Sequence, residues 1–374
     1  MYTIYVDNAS GTSVTRTTVW APAARRAEYI VLEPKLKQEI NKASVLTFKM
    51  PKDNAAYNAI SLLTSTVLLY DGDTCIFMGR PLSVKRDFWN NKLVTCEDAL
   101  AWLGDAVIEP YSCATWQAYM TMLSTAYNAQ AAANRQITFA NNITGNETFE
   151  SEDYSTALDE FLDVWIERRQ AAGATYDVFA ELTYNPGGSP VVKLAARELW
   201  TGQGQTIEFG KNLLDLEEYL DAEDLYTVIV PLGRTDSGTG LPMTVSGATD
   251  SPGTGYTRSG IYVTNTAAAA SFGTITKAVR FSEPETANEL QAAGVEELGE
   301  NLSTALSLTV TALDLRAAGV NTDALRIGQL NRIYSAPHGY DSVVQCKKIQ
   351  LDMSDPEKSK YSFGVTRKSL TQQI

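Results

Sequence analysis

His338 is the only histidine among 374 residues, so one imidazole is all the chain can bring to proton transfer or metal binding. A zinc hydrolase ordinarily draws on two or more imidazoles or a dense Cys/His set, and neither HExxH nor a near relative occurs. A Ser-His-Asp triad built on His338 lacks the GxSxG elbow that presents a nucleophile. Ala336-Pro337-His338-Gly339-Tyr340 reads instead as a turn between strands. Carboxylates are plentiful, 44 in all, which supplies raw material for paired-acid chemistry without pairing any two of them. The run Asp215, Glu217, Glu218, Asp221, Glu223 and Asp224 alternates with Leu214, Leu216, Tyr219, Leu220 and Leu225. It reads as the solvated face of a short amphipathic segment, since the DxDxDG order of a calcium loop is absent. Asp71-Gly72-Asp73 is a hairpin turn before it is a ligand set. Gly202-Gln203-Gly204 and Gly238-Thr239-Gly240 lack the Lys-Ser/Thr of a phosphate loop and the strand-to-helix setting of a dinucleotide site, and read as loops. The residues thus assign no catalytic, cofactor-binding or metal-binding role.

Aromatic side chains are the other chemical resource, with six tryptophans and 18 tyrosines able to stack on sugars or bases. Most fall in phase with core positions, as Trp116, Tyr119 and Trp165 do. Trp89 is the exception: it sits at an expected hairpin tip, where it is exposed and free to contact a partner. Cys75, Cys96, Cys113 and Cys346 are too few and scattered for a disulfide scaffold, contain no CxxC pair, and read as reduced, mostly buried thiols.

The elements that must position these residues follow from length and pattern. A chain of 374 residues suggests two or three folding units, and 44% hydrophobic with 20% charged content is ordinary globular material. Acidic residues exceed basic ones by 44 to 31, a net charge of −13 that argues against a surface built to neutralise nucleic-acid phosphate. The start MYTIYVDNASG has no basic region ahead of an apolar core, and no run approaches the roughly 18 apolar residues of a membrane span. A soluble product without a membrane anchor, made in the bacterial cytoplasm, is expected.

Up to about residue 105 the period is two. Leu46, Phe48 and Met50 share a strand face that Pro51 ends, and Asp53 is placed to cap a short helix through Tyr57, Ile60 and Leu63. Strands Val67 to Tyr70 and Thr74 to Met78 flank the Asp71-Gly72 turn, and Leu82 to Phe88 and Lys92 to Cys96 flank Trp89-Asn90-Asn91. Such a four-strand meander closes most readily into a barrel or sandwich.

From 106 to 200 the period becomes helical. Trp116, Tyr119, Met120, Leu123 and Tyr127 form one stripe behind the N-cap Thr115. Leu158, Phe161, Leu162, Trp165 and Ile166 form a second, with Asp153 or Ser155 as cap, Arg168 and Arg169 near its end and Gly173 closing it. Strands Tyr176 to Tyr184 and Val191 to Ala196 surround the turn Asn185-Pro186-Gly187-Gly188. Strands return at Ile207 to Gly210 and Tyr226 to Val230, followed by a Gly/Ser/Thr-rich stretch from Gly233 to about Gly260 that reads as an excursion or mobile loop. Ser282 and Glu285 have capping-box spacing ahead of a helix with Leu290, Leu298 and Leu302, weakened by Gly294 and Gly299. Leu308 to Leu315, Ile327 to Ser335, Val343 to Asp352 and Tyr361 to Arg367 complete the strands.

The ordered segments LTFKMPKDNAAYNAI, DGDTCIFMGRPLSVKRDFWNNKLVTCEDALAWLGD with Pro110-Tyr111 beyond it, DYSTALDEFLDVW, IEFGKNLLDLEEYLDAEDLYTVIVPLGR and RIGQLNRIYSAPHG resemble a known family over roughly residues 40 to 370. It is the hub region of tail-associated proteins, often labelled prophage tail endopeptidase proteins, of siphophages, prophages and contractile tail-like particles of Gram-positive hosts.

The resemblance implies an α+β, mainly β, baseplate-hub-like fold: two similar antiparallel β-barrel domains with α+β insertions. Residues 1–105 would be the first barrel, 106–200 an α+β insertion, 201–235 with 305–374 the second barrel, and 236–304 a second insertion with the Gly/Ser/Thr-rich loop and a helix. It also implies a virion or tail-like-particle protein of the tail tip or baseplate, in the class of contractile injection systems, prophages and tailocins. Three copies would form a homotrimeric ring, with a tail tube or distal tail protein above, a spike, tip or lysin protein below, and other baseplate proteins at the periphery. No cofactor and no specific nucleic-acid binding are implied. Many family members continue into a peptidase, glycosidase or fibre, whereas this sequence stops at Ile374. A wall hydrolase is therefore expected on another polypeptide, and the endopeptidase label is not carried to these residues. Two alternatives stand beside the hub: a cell-wall hydrolase (peptidoglycan endopeptidase) with unrecognised carboxylates, and a host-glycan-binding adhesin using Trp89 and the Gly-rich excursion.

Overall fold

The computed structural model describes residues 2–10, 13–24, 26–139, 148–166, 178–185, 191–197, 204–220, 225–235, 238–282, 284–304, 306–316, 320, 322 and 324–364. The fold is α+β and mainly β, built on large antiparallel sheets. Its contacts separate two units, one of Met1–Leu216 with Val310–Phe363 and one built on Glu217–Thr309.

The first unit opens with β1 (Tyr2–Ser10), β2 (Ser13–Trp20), β3 (Leu32–Glu39), β4 (Lys42–Met50), β5 (Thr66–Asp71), β6 (Thr74–Arg86) and β7 (Lys92–Asp98). They pair in the order β2-β1-β5-β6-β7-β4-β3, every pair antiparallel. Leu46, Phe48 and Met50 point inward as their alternation predicts, and meet Ile4, Val6, Val67, Leu69, Phe77, Val94 and Cys96. Both end strands feed the same core, β2 through Val19 and Trp20 and β3 through Leu36, so the sheet curls around its own interior.

Two expectations change here. Residues 52–64 form consecutive turns and no helix. Buried Asn54, rather than Asp53, organises them: its amide donates to the carbonyls of Val19 and Ile30 and its oxygen accepts from the Ala56 N–H. The two strands expected at 74–78 and 82–88 are one, because Gly79 and Pro81 do not break it. A Cβ on Gly79 would fall 2.0 Å from the Glu97 carbonyl oxygen, so only glycine fits the ladder, and Pro81 sits at a register shift where no ladder N–H is required.

β5 is apolar on both faces. Val67 and Leu69 face the first core, while Leu68 turns the other way and joins Met78 in a second core supplied by the following insertion. The insertion contains β8 (Val107–Ile108), β9 (Tyr111–Cys113), α1 (Trp116–Gln130), β10 (Ile137–Phe139), β11 (Phe149–Ser151), β12 (Ser155–Thr156), β13 (Phe179–Asn185) and β14 (Val191–Arg197). α1 is as predicted: Thr115 accepts from the Ala118 N–H, and Trp116, Tyr119, Met120, Leu123 and Tyr127 are all buried. The next helix differs. Thr156 caps a single α-turn at Ala157–Asp159, which widens into a π-helix over Glu160–Ile166. The Trp165 side chain, Arg168, Arg169, Gly173 and the 186–188 turn lie outside the described residues.

β15 (Ile207–Glu208) and β16 (Leu213–Leu220) lead into the second unit. There β17 (Val228–Thr235), β18 (Pro242–Thr244), β19 (Tyr256–Ser259), β20 (Tyr262–Asn265), α2 (Thr266–Phe272), β21 (Thr276–Arg280) and α3 (Ala287–Thr304) surround a core of Tyr226, Ile229, Val245, Val263, Leu290 and Leu298. β17, expected in the second barrel, is instead the central strand of this five-stranded sheet. Its apolar run suits a strand flanked by β20 and a parallel β21. The stretch expected to be a mobile loop contains β18 and β19, tied in by buried Val245 and by Asn288, whose side chain accepts from the N–H of Thr249. The capping box of α3 is Thr286 with Glu289, four residues beyond the predicted pair and at the same spacing.

The chain returns through β22 (Leu306–Ala312), β23 (Leu330–Ser335), β24 (Tyr340–Asp352) and β25 (Lys360–Gly364). The order β16-β22-β25-β24-β23-β15 comes back on itself through a bridge between Phe209 and Leu213. Ile207, Val310, Ile333, Cys346, Ile349 and Phe363 are buried within these strands. The far half of β24 pairs Lys348–Asp352 with Lys35–Glu39 of β3, which makes one 13-stranded ladder of the two curled sheets.

Candidate functional site

The hairpin between β6 and β7 holds the most exposed large apolar side chains among the described residues. Phe88 is 89% and Trp89 73% exposed, their rings edge-on with centroids 5.2 Å apart. The turn that carries them is rigidly braced. One Asp87 oxygen accepts from the backbone N–H of Trp89 at 2.9 Å and of Asn91 at 2.8 Å, and the other accepts from the Asn91 amide at 2.9 Å. The Lys49 ammonium lies 2.7 Å from that second oxygen. Lys49 and then Asn91 hold the Asp87 carboxyl below the ordinary range. Asn90 takes the left-handed conformation at φ 60°, and its carbonyl accepts from the Tyr57 hydroxyl at 2.7 Å. Apolar side chains held outward by such a scaffold cost little further entropy on binding.

The same end gathers positive charge from three places in the sequence. Lys85 and Arg86 come from β6, Lys52 follows β4, and all three are exposed. Lys92 is buried, with its ammonium 3.9 Å from the Tyr57 ring centroid and donating to the Tyr57 carbonyl; burial lowers its pKa. Together with Lys49 these make five cations against Asp53 and Asp87, on a chain whose net charge is −13. Trp89 was legible from the hairpin pattern. The alternation places Phe88 at the end of a strand, and Lys49 and Lys52 join Lys85, Arg86 and Lys92 at the tip only through strand pairing.

His338 lies in the β23–β24 turn that the sequence predicts, exposed, with Gly339 left-handed behind it. Its Nδ1 is 2.6 Å from the Ser335 Oγ and its ring packs edge-on against Phe209. The nearest acid in the hairpin, Asp341, is bound by both forks of Arg332 at 2.8 Å, so the geometry builds a turn lock rather than a triad. Asp71-Gly72-Asp73 is the β5–β6 turn, with Gly72 at φ 59°. Asp215 and Glu217 are exposed along β16. The Glu218 side chain, Asp221, Glu223, Asp224, Gly202 and Gln203 lie outside the described residues. Among the described residues no three Cys, His, Asp or Glu side chains converge as a metal site. Cys96, Cys113 and Cys346 are buried and Cys75 half-buried, all as free thiols.

A cavity of about 300 Å³ in the first unit is lined by Glu39, Asp71, Asp98, Glu181 and Asp314. Each carboxylate has a structural partner: Glu39 binds Lys42, Asp71 faces Arg316, Glu181 binds Arg197, and Asp314 accepts from the N–H of Arg316. Asp98 accepts from the N–H of Ser44 at 2.8 Å and of Leu100 at 3.0 Å; burial outweighs those bonds and raises its pKa to about 6. These groups tie strands together and present no open, reactive pair.

Residues 201–374 match the family described as prophage endopeptidase tail. The resemblance to prophage tail proteins holds. Solved tail proteins extend it across the chain. Prophage tail protein gp18 from Listeria monocytogenes EGD-e is 14% identical with a TM-score of 0.53, the match covering 99% of this chain and 96% of that one. The prophage MuSo2 tail protein from Shewanella oneidensis is 13% identical with a TM-score of 0.59, covering 98% of each chain. The tail protein from Neisseria meningitidis MC58 is 11% identical with a TM-score of 0.59, covering 97% of this chain and 96% of that one. At such identities the likeness is one of fold, and the fold is that of prophage tail proteins. No curated protein matches. Among the described residues no helix is long and apolar enough to cross a membrane.

Proposed function

We propose that this chain is a structural hub of a phage tail tip or baseplate, and that three copies form a ring adapting a sixfold tail tube to a threefold spike or tip. The observation that carries the reading is the presence of two curled, mainly antiparallel sheets in one chain, joined edge to edge by β3 and β24. Three chains with two such sheets each offer six comparable surfaces, so symmetry is matched by shape. In this reading β1–β7 form the first barrel, carrying the insertion up to about residue 200, and β15, β16 and β22–β25 form the second, carrying the Glu217–Thr309 unit. The partners are the tail tube or distal tail protein on one side and a spike, tip or lysin protein on the other.

The reading is non-enzymatic: the protein works by binding. It is supported by titratable side chains that serve turns and strand ties, as His338, Asp87 and the cavity carboxylates do. A net charge of −13 suits a wall that must not retain phosphate. Cryo-EM of the particle tests the assignment. A threefold ring of this chain on the tail axis is expected, and density confined to peripheral fibres overturns it.

A further inference from the structure

The basic, aromatic hairpin tip has no counterpart within the first curled sheet, yet the chain carries a surface complementary to it. Around the β15–β16 turn, which the Phe209–Leu213 bridge closes, Phe209 is 51% and Leu214 52% exposed. Lys211, the cation in that turn, is neutralised by Glu208, which leaves the exposed Asp215 carboxylate uncompensated among the described residues. One surface is therefore aromatic and cationic, the other apolar and anionic.

We propose that the Phe88–Trp89 tip of one copy docks on the Phe209–Leu214–Asp215 surface of a second copy. Phe88 and Trp89 supply the apolar anchor, and Lys85 and Arg86 face the carboxylate. The inference rests on the ring reading above and names the contact that would build it. The two surfaces differ, so the contact is heterologous: each copy uses its tip on one neighbour and its acidic turn on the other, and three copies close a ring when the rotation between neighbours is a third of a turn. A second copy is favoured over nucleic acid because the chain as a whole, at −13, is repelled by a polyphosphate backbone, whereas a carboxylate on a second copy is matched by the tip's cations. It is favoured over a sugar because the cations would find nothing to neutralise on an uncharged glycan.

The test is self-association of the full chain by sedimentation equilibrium over a wide concentration range at low salt, with circular dichroism confirming that each variant is folded. Trp89→Ser removes an exposed side chain, so the fold is not at stake, and is expected to weaken association about 30-fold, the range of an aromatic hot spot. Lys85→Glu with Arg86→Glu is expected to weaken it about tenfold, and Asp215→Lys in the same chain to restore most of the loss. A wild-type trimer whose affinity none of these changes alters overturns the contact and leaves the ring standing. A wild-type chain that stays monomeric throughout, or a tip that binds single-stranded DNA while copies ignore each other, overturns the second copy as occupant; the ring itself is then judged from the particle's symmetry.

Discussion

Gly294 of α3 lies so close to Pro231 of β17 that a Cβ on the glycine would stand 2.4 Å from the proline Cγ. The residue that weakens α3 as an isolated helix is what lets it approach the sheet. Gly294→Ala gains roughly 1 kcal/mol of helix propensity and forces an overpacking strain of about 1–3 kcal/mol. The net expectation is destabilisation of the second unit, read as a lower midpoint in chemical denaturation. An unchanged or raised midpoint would show that the helix simply shifts away.

Asp98 gives the first unit a pH dependence of defined sign. Its pKa is raised from 3.8 to about 6 by burial, so the folded state holds an extra proton between those values. Its contribution is fully present below about pH 4 and is lost as the pH rises through about 6, at most about 3 kcal/mol. A carboxyl NMR titration is expected to place the Asp98 midpoint near 6. A midpoint near 4 would mean that water reaches the carboxylate and the cavity is wetter than its lining suggests.

The Tyr119 hydroxyl donates to the Glu160 carbonyl at 2.7 Å, where the helix widens to π, and both groups are buried. Tyr119→Phe leaves that carbonyl without this donor and is expected to cost about 1–2 kcal/mol. Trp116, edge-on to the ring, and Phe149, tilted against it, should keep their packing, so near-ultraviolet circular dichroism should change little while thermal stability falls.

Asp87 presents the tip. Asp87→Ala removes the acceptor for two backbone N–H groups and for Lys49. Faster amide exchange at residues 88–91 is expected, with little change in global stability because the hairpin tip is exposed. If exchange stays slow, the Tyr57–Asn90 bond and the backbone bonds between Asp87 and Asn90–Asn91 hold the turn without the carboxylate.

What was legible in the sequence was local. The alternation in β4, the Asp71-Gly72 turn, the Thr115-capped stripe of α1 and the exposure of Trp89 each depend on neighbours a few residues apart, and each is present in the structure. Where two local signals competed, contacts from far along the chain chose between them. Gly79 and Pro81 look like breaks until Glu97 is seen against the strand, and Ser282-Glu285 looks as good a cap as Thr286-Glu289.

The candidate site divides in the same way. The hairpin, its tryptophan and the cations Lys85, Arg86 and Lys92 come from residues 82–96, but Lys49 and Lys52 arrive on β4 and after it, and only strand pairing brings them to the tip. The curling of two sheets and their union through β3 and β24 join residues more than 300 positions apart. No periodicity encodes such a pairing: a strand's pattern says which face is buried, while the identity of the strand beside it is set by the shared core.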